Sequence, residues 1–275
     1  MTDMNNYKKN SLSLTGAVAL GTGVMIGAGI FALLGQVADL SGTLFPLAFL
    51  VGAVISYFSA YTYIKLSNAY PSAGGIAMYL KKAYGPGTIT AAGSLLMAFS
   101  MVIGQSLVAR TFGAYTLQLF DVQKNSIWVP ILGVLLLVVA FLINISGNKV
   151  IGRSSLMMAV IKIGGLAIFA IGGLWAAGFS FAEALPSSVS GDYTATSYIA
   201  ALAFTILAYK GFTTITNSGG EIVNPNKNVG RAIMISLFIC TLVYLLVALA
   251  VSANLSIPEI LAAKDFSLAE ASKPA

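Results

Sequence analysis

GTGVMIGAGIFALLG, residues 21–35, is an apolar stretch with Gly21, Gly23, Gly27 and Gly29 in the interior of what should be a continuous membrane helix. Glycine costs up to about 1 kcal/mol relative to alanine in a helix interior. In lipid, every backbone group released from a helix also needs a new partner. Two explanations are open at this point. Either Gly23 and Gly27 form a GxxxG packing face, or the helix is broken here.

A second unusual stretch is AYKGFTTITNSGG, residues 208–220. Its polar residues are poorly suited to facing lipid. A helix end that reaches the interface before Pro225 would explain Asn217 onward, but not Lys210. The two stretches start five spans apart, and inverted-repeat transporters carry broken helices at matching positions in each half. The positive end of a broken helix can bind a carboxylate, and its unpaired carbonyl groups can bind a cation. An amino acid carries both a carboxylate and a cationic amine, so it fits such a site.

The composition predicts an integral membrane protein. The 275 residues are 57% hydrophobic and only 9% charged, whereas soluble domains carry about 25% charged residues. A membrane helix needs about 20 apolar residues. Seven such spans can be drawn, at residues 14–35, 43–68, 88–119, 127–146, 154–177, 197–222 and 230–253.

The loop charges predict the orientation. With a cytoplasmic N-terminus, nine basic residues lie on the inner side and three on the outer side. The positive-inside rule therefore explains the net charge of +6 better than nucleic-acid binding does. We expect a cytoplasmic tail at residues 1–13, a membrane domain at 14–253 and a mostly loop-like extracytoplasmic tail at 254–275. The expected location is the cytoplasmic membrane of the cell.

Lys162 is the most informative charged residue. It lies about ten residues into the fifth span, or roughly 15 Å deep, where insertion of a lysine costs about 2.5–3.5 kcal/mol. Snorkelling to the interface is awkward from that depth. We interpret Lys162 as a functional residue that binds and releases a proton, or whose ammonium stands where other transporters bind sodium.

Other polar and aromatic residues inside the spans have more than one explanation. Lys210 could face a substrate carboxylate, a cytoplasmic gate or the carbonyls of a broken helix. Gln105 is a candidate pore-facing residue, whereas Arg110 is best explained by snorkelling. The rings of Phe204 and Tyr209 could line or gate a pocket, although core packing is the commoner use.

The chain lacks the residues that an enzyme, a metal site or a channel would need. It has no histidine and a single cysteine, Cys240, and all nine acidic residues lie outside the spans or at their edges. No charge ring or repeated filter motif suggests a channel. We therefore expect no enzyme activity, no cofactor and no metal site.

Four segments resemble the amino acid–polyamine–organocation (APC) permeases and occur in the family's order. They are GVMIGAGIFALLG (23–35), YPSAGGIAMYLKKAYGP (70–86, similar to the loop after the second helix), NISGNKVIGR (144–153) and AYKGFTTITNSGGEIVNPNKNVGRAI (208–233). The resemblance implies an all-α, leucine-transporter-like fold of five-plus-five inverted repeats with helices 1 and 6 broken. It implies secondary active transport of amino acids by alternating access.

The resemblance also implies site residues. Substrate would bind residues of the first helix and of the sixth: Gly27, Ala28, Gly29, Ile30, Phe204, Ala208, Tyr209 and Gly211. Gln105 and Lys210 are added as candidate substrate-binding residues because they are polar residues inside the spans, and not because of the resemblance. Some proton-coupled members carry a lysine at the position of Lys162, which favours a proton over sodium as the coupling ion. The implied partners are an amino acid or related amine, the proton and the lipid bilayer.

Two features depart from the family pattern. Lys210 stands where many members have a small or apolar residue, which leaves the substrate preference open. The family has ten core helices and this chain stops after seven, so we expect a truncated chain that ends before its eighth helix. Alternative functions are therefore a non-transporting membrane scaffold or partner-binding subunit, and an amine or polyamine exchanger.

Overall fold

The computed structural model describes residues 10–120, 127–145, 148–178 and 193–272. Apart from one isolated bridge between Leu12 and Ile222, these residues form helices and their connections. The α-helices of this part of the chain are α1 Leu14–Ser41, α2 Phe45–Ala69, α3 Gly75–Tyr84, α4 Thr88–Gln118, α5 Trp128–Ile145, α6 Asn148–Ala176, α7 Ala195–Tyr209, α8 Phe212–Asn217, α9 Pro225–Asn254, α10 Ile257–Ala262 and α11 Ser267–Ala271.

The helices account for the predicted membrane spans. The described residues contain six segments that are long and apolar enough to cross a bilayer. The first, Leu14–Ala69, has 56 residues and includes both α1 and α2. At 1.5 Å per residue it is more than twice as long as a bilayer core is thick. Counted as two crossings it gives the seven spans that the sequence predicts, with α7 and α8 together forming the sixth.

The predicted break in helix 1 is wrong, because α1 is one continuous helix from Leu14 to Ser41. It begins where the Ser13 hydroxyl accepts a hydrogen bond from the Gly16 N–H at 3.1 Å. Three of its glycines pack closely against other residues, and a Cβ at Gly35 would collide with the Lys264 carbonyl oxygen. A Cβ at Gly29 would collide with the Tyr244 hydroxyl, and one at Gly21 would collide with the Ile215 side chain. Tight packing compensates for the small helix cost of these glycines.

The predicted interruption of helix 6 is confirmed. Helix α7 ends at Tyr209 and α8 begins at Phe212, with Lys210 and Gly211 between them. The turn is tight, because the Thr213 N–H donates to the Lys210 carbonyl at 3.0 Å in a 3₁₀-type bond. Glycine is required at 211, since a Cβ there would lie 2.8 Å from the Met25 backbone nitrogen.

Several observed boundaries differ from the predicted ones. Residues 70–86, predicted as a loop, contain the amphipathic α3, which ends at Tyr84 and is followed by Gly85 with φ of 73°. Pro225 begins α9 rather than terminating the preceding helix, as expected for proline in a first turn. Helix α6 begins at Asn148, six residues before the predicted span.

The tail at 254–275 is more ordered than predicted. It contains α10 and α11, and Ile260 and Leu268 are buried. The backbone N–H and hydroxyl of Ser256 both donate to the Glu259 carboxylate, at 2.8 and 2.6 Å, and this capping box starts α10. The two bonds lower the pKa of Glu259. Most of the predicted cytoplasmic tail, residues 1–9, lies outside the described residues.

The core lies where α1, α2, α7 and α9 meet, with α6 packed on α1 and α9. Its largest fully buried side chains include Tyr209, Tyr244, Phe45 and Phe49. Helices α4 and α5 lie at the periphery, and their apolar side chains are largely exposed, as at Ile103 (68%) and Phe141 (62%). Such a surface suits lipid rather than water.

Candidate functional site

Lys162 of α6 reaches α1 instead of a membrane surface. Its Nζ donates a hydrogen bond to the Gly23 carbonyl at 3.1 Å, and its side chain is half-buried. The neighbouring turn of α1 carries Gly27, where a Cβ would lie 3.5 Å from the same Nζ. Lys162 therefore places its amine against the backbone of the glycine-rich stretch.

The α1 face beside Lys162 is open. A Cβ at Gly23 would meet no described atom within 4 Å, and one at Gly27 would meet only the Lys162 Nζ. Within the described residues, these two glycines therefore do not form the helix-packing GxxxG face that was one of the two explanations for the stretch. They leave backbone accessible beside an amine, whereas Gly21 and Gly29 are closed by neighbouring side chains.

Tyr244 of α9 joins α1 to α7. Its hydroxyl lies 2.5 Å from the Met25 carbonyl and 3.3 Å from the Ala208 carbonyl, and the residue is fully buried. The Tyr244 ring also packs against Tyr209, with centroids 5.1 Å apart. The sequence analysis missed this residue. Its only signal was the single tyrosine in this apolar span.

The helix break directs Lys210 towards α4. The Lys210 ammonium donates to the Ser100 hydroxyl, and both residues are half-buried. The neighbouring Gly211 instead packs against the Met25 backbone of α1. The break therefore touches α1 with its backbone and α4 with a cationic side chain. Ser100 was also missed, because it is one of three serines in α4 and nothing in the local sequence distinguishes it from Ser94 and Ser106.

The remaining predicted site residues differ in how deeply they are buried. Gly29, Ile30, Ala208, Tyr209 and Gly211 are buried, and Gly27 and Phe204 are half-buried. Tyr209 donates to the Phe49 carbonyl at 3.3 Å, so core packing explains its ring. Gln105 is exposed on α4. Ala28 lies within α1, but its side chain is outside the described part of the structure.

Ion pairs attach residues 255–272, called the cap segment from here on, to α1 and α4. Lys264 pairs with Asp39 near the end of α1, and Arg110 of α4 lies 3.7 Å from Asp265. Arg110 is thus paired with a carboxylate rather than only snorkelling. These exposed pairs are weak individually. A cavity of about 640 Å³ lies between α4 and α5 beside Arg110 and Asp265, on a part of α4 distinct from the Lys210 contact.

A family profile and individual relatives identify the chain. The profile described as amino acid permease matches residues 12–272, which includes the Lys162 contact, the helix break and the cap segment. The chain is a member of this amino acid permease family. It is therefore a multi-pass membrane protein of a transporter family and not an enzyme.

Three relatives illustrate the range of this permease family. An uncharacterised protein of Methanocaldococcus jannaschii is 36% identical over 97% of this chain and 60% of its own length. The inner membrane transport protein YbaT of Escherichia coli is 32% identical over 99% of this chain and 62% of its own. The serine/threonine exchanger SteT of Bacillus subtilis is 28% identical over 94% and 58%. The permease chain thus spans about 60% of the length of these relatives.

Proposed function

We propose that this chain forms the substrate-binding part of a proton-coupled, secondary active amino acid transporter with a five-plus-five inverted repeat. Its location is the cytoplasmic membrane, with the N-terminus in the cytoplasm. The observation that carries the proposal is the contact between the Lys162 amine and the Gly23 carbonyl, on the open face of α1. Family membership supports an amino acid as the substrate.

The substrate site lies around the glycine-rich turn of α1 and the α7–α8 break. Gly27, Ala28, Gly29 and Ile30 contribute the α1 backbone, and the missing side chain at Gly27 leaves this backbone accessible beside the Lys162 Nζ. Phe204, Ala208, Tyr209, Lys210 and Gly211 contribute the other side, and Gln105 extends it along α4. Contact between Gly211 and Met25 supports the proposal by joining the two sides.

Lys162 is the proton-coupling residue in this proposal. A protonated amine makes a charge-assisted hydrogen bond, roughly twice as strong as a neutral one. Proton binding therefore strengthens the attachment of α6 to α1, and proton release weakens it. A cycle that alternates these two states couples proton movement to the packing of α1, which also bears the substrate site.

The proposal is tested by uptake into proteoliposomes that contain this chain. An inward proton gradient should drive amino acid uptake, and Lys162→Ala should abolish the gradient-driven component. Lys65→Ala is the matched control, because Lys65 is an exposed lysine of α2 whose amine lies over the Tyr61 ring. Gradient-driven uptake that persists in Lys162→Ala would refute proton coupling at this residue. Failure of the unmodified chain to bind or transport any amino acid would refute the substrate site.

A further inference from the structure

We infer that Lys210 and Ser100 form a charge-selective pair that favours amino acids with a carboxylate side chain over neutral, cationic and polyamine substrates. This inference rests on the proposed amino acid transport and names the substrate class of the same site. It depends on where the Lys210 amine lies, which acceptor it has and which charges surround it.

The Lys210 amine is the movable part of an otherwise fixed residue. The Lys210 carbonyl accepts from the Thr213 N–H and from the Thr213 hydroxyl, both at 3.0 Å. These bonds fix the backbone at the helix break. The side chain extends away from them to Ser100 on another helix. A ligand at the break can therefore take the Lys210 amine from Ser100 without rearranging α7 or α8.

The position of Lys210 brings this amine to the substrate site. Its neighbours in sequence contact the glycine-rich helix. The Ala208 carbonyl lies against Gly29, and Gly211 lies against Met25. Lys210 itself contacts α4. At this α7–α8 junction, the backbone therefore contacts α1, and the Lys210 amine extends from the same junction towards α4.

Ser100 satisfies the hydrogen bond of Lys210 but not its charge. The two ion pairs found among the described residues both involve the cap segment and not Lys210. Within those residues, the spanning helices α2 and α4–α9 contain no aspartate or glutamate. Lys162, the other lysine of the site, is likewise bonded to a neutral acceptor, the Gly23 carbonyl. Among the described residues, the site thus contains two amines and no carboxylate.

A carboxylate side chain on the substrate is the ligand group that fits this arrangement. It replaces the neutral Ser100 hydroxyl with an anionic acceptor, and hydrogen bonds to charged groups are the stronger kind. An amide of the same shape offers only a neutral acceptor. An arginine side chain or a diamine would bring a further positive charge next to an uncompensated one, in surroundings where like charges repel more strongly than in water.

The test is calorimetric binding at pH 7 of four ligands to the 275-residue chain in lipid nanodiscs. The ligands are L-glutamate, its isosteric amide L-glutamine, L-arginine and putrescine. We expect L-glutamate to bind about tenfold more tightly than L-glutamine, which is the difference between a charged and a neutral acceptor. L-arginine and putrescine should bind more weakly than L-glutamine.

Two variants test whether Lys210 and Ser100 cause the preference for L-glutamate over L-glutamine. Lys210→Met removes the charge and should bring L-glutamate and L-glutamine to within about twofold. Ser100→Asp gives Lys210 a permanent carboxylate partner and should remove the preference with the lysine still present. Ser106→Asp is the matched control, because Ser106 lies on the same helix and its hydroxyl bonds the Val102 carbonyl at 3.0 Å. This control should retain the preference.

The outcomes separate this inference from the proposed function. Equal binding of L-glutamate and L-glutamine by the unmodified chain overturns the charge selection and leaves the amino acid site standing. A preference that survives in Lys210→Met overturns the role of Lys210. If none of the three amino acids binds, the proposed function fails, and the inference fails with it.

Discussion

The glycine-containing stretches of α1 and of the α7–α8 junction differ in sequence and in backbone. Residues 21–35 contain five glycines and remain helical throughout, whereas residues 208–220 contain three and the helix is interrupted at Lys210 and Gly211. Glycine permits both outcomes, because its cost in a helix is only about 1 kcal/mol. The two stretches differ in how many hydroxyl groups they carry, since residues 21–35 contain only Thr22, whose hydroxyl bonds the Val18 carbonyl at 2.7 Å. At the junction, Thr213 donates to the Lys210 carbonyl and Thr216 donates to the Thr213 carbonyl.

A second contrast lies within α1 itself. Gly21 and Gly29 are closed by other helices, whereas Gly23 and Gly27 face open space and the Lys162 amine. The first pair of glycines is therefore explained by packing. The second pair leaves backbone exposed beside the Lys162 amine. Glycines in one membrane helix can therefore serve close packing or leave backbone exposed. Only the positions of the neighbouring helices show which of the two applies to a given glycine.

The largest expected effect comes from filling a closed glycine. Gly29→Ala should destabilise the protein by about 1–3 kcal/mol, because its Cβ would overlap the Tyr244 hydroxyl and lie 2.9 Å from the Ala208 carbonyl oxygen. Gly23→Ala should be neutral or stabilise by up to about 1 kcal/mol. Thermal unfolding of the detergent-solubilised protein, followed by tryptophan fluorescence, compares the two. Equal melting temperatures would contradict the distinction between closed and open glycines.

A smaller effect is expected from Tyr244→Phe, about 1 kcal/mol. The loss is modest because α1 is continuous at Met25, so the Met25 carbonyl keeps its own helical donor. Tyr84→Phe is the control, since Tyr84 is 64% exposed. A loss above about 3 kcal/mol would mean that the α1 carbonyls depend on outside donors. In that case α1, like the α7–α8 junction, would depend on side-chain hydroxyl groups to satisfy its carbonyls, although its helix is continuous.

Thr213→Val should have a still smaller effect on stability, about 0.5–1 kcal/mol, because the Lys210 carbonyl keeps its bond from the backbone N–H. Faster amide hydrogen exchange should be confined to residues 210–216. Thr116→Val is matched to it, since the Thr116 hydroxyl bonds the Phe112 carbonyl at 2.7 Å within the unbroken α4. Equal exchange in both variants would show that the threonine hydroxyl does not help to hold the break.

The smallest effect concerns the far end of α1. Asp39→Asn removes the charge that pairs with Lys264, and we expect a loss of about 0.2–1 kcal/mol that disappears at high salt. Limited proteolysis within residues 255–272 should quicken at low salt. An effect that does not change with salt would indicate that apolar contacts such as that of Ile260, rather than the ion pair, hold the cap segment on α1.

The sequence predicts more of the fold than of the site. Hydropathy locates the spans to within a few residues at most boundaries, because lipid requires long apolar helices. The break at Lys210 and Gly211 is predictable, since a lysine and several threonines in one span have no favourable place against lipid. Lys162 is recognisable by depth alone. The short helices α3, α10 and α11 are missed because they are outside the apolar pattern, although Ser256 and Glu259 carry a capping-box signal.

The continuity of α1 and the roles of Ser100 and Tyr244 could not be predicted, for one physical reason. Each depends on a contact between residues far apart in the chain. Tyr244 meets Met25 across 219 positions, and Lys210 meets Ser100 across 110. A glycine costs so little that such contacts decide whether the helix continues. No pattern within a single span contains that information.

The Tyr244 hydroxyl has a consequence for how the bundle moves. A phenol carries one proton, so it donates to a single acceptor at a time. Tyr244 has two carbonyls within reach, one on α1 and one on α7. Rotation of the O–H from the Met25 carbonyl, at 2.5 Å, to the Ala208 carbonyl, at 3.3 Å, exchanges one hydrogen bond for another. A small shift between α1 and α7 that brings the second carbonyl closer therefore leaves the number of hydrogen bonds made by this hydroxyl unchanged.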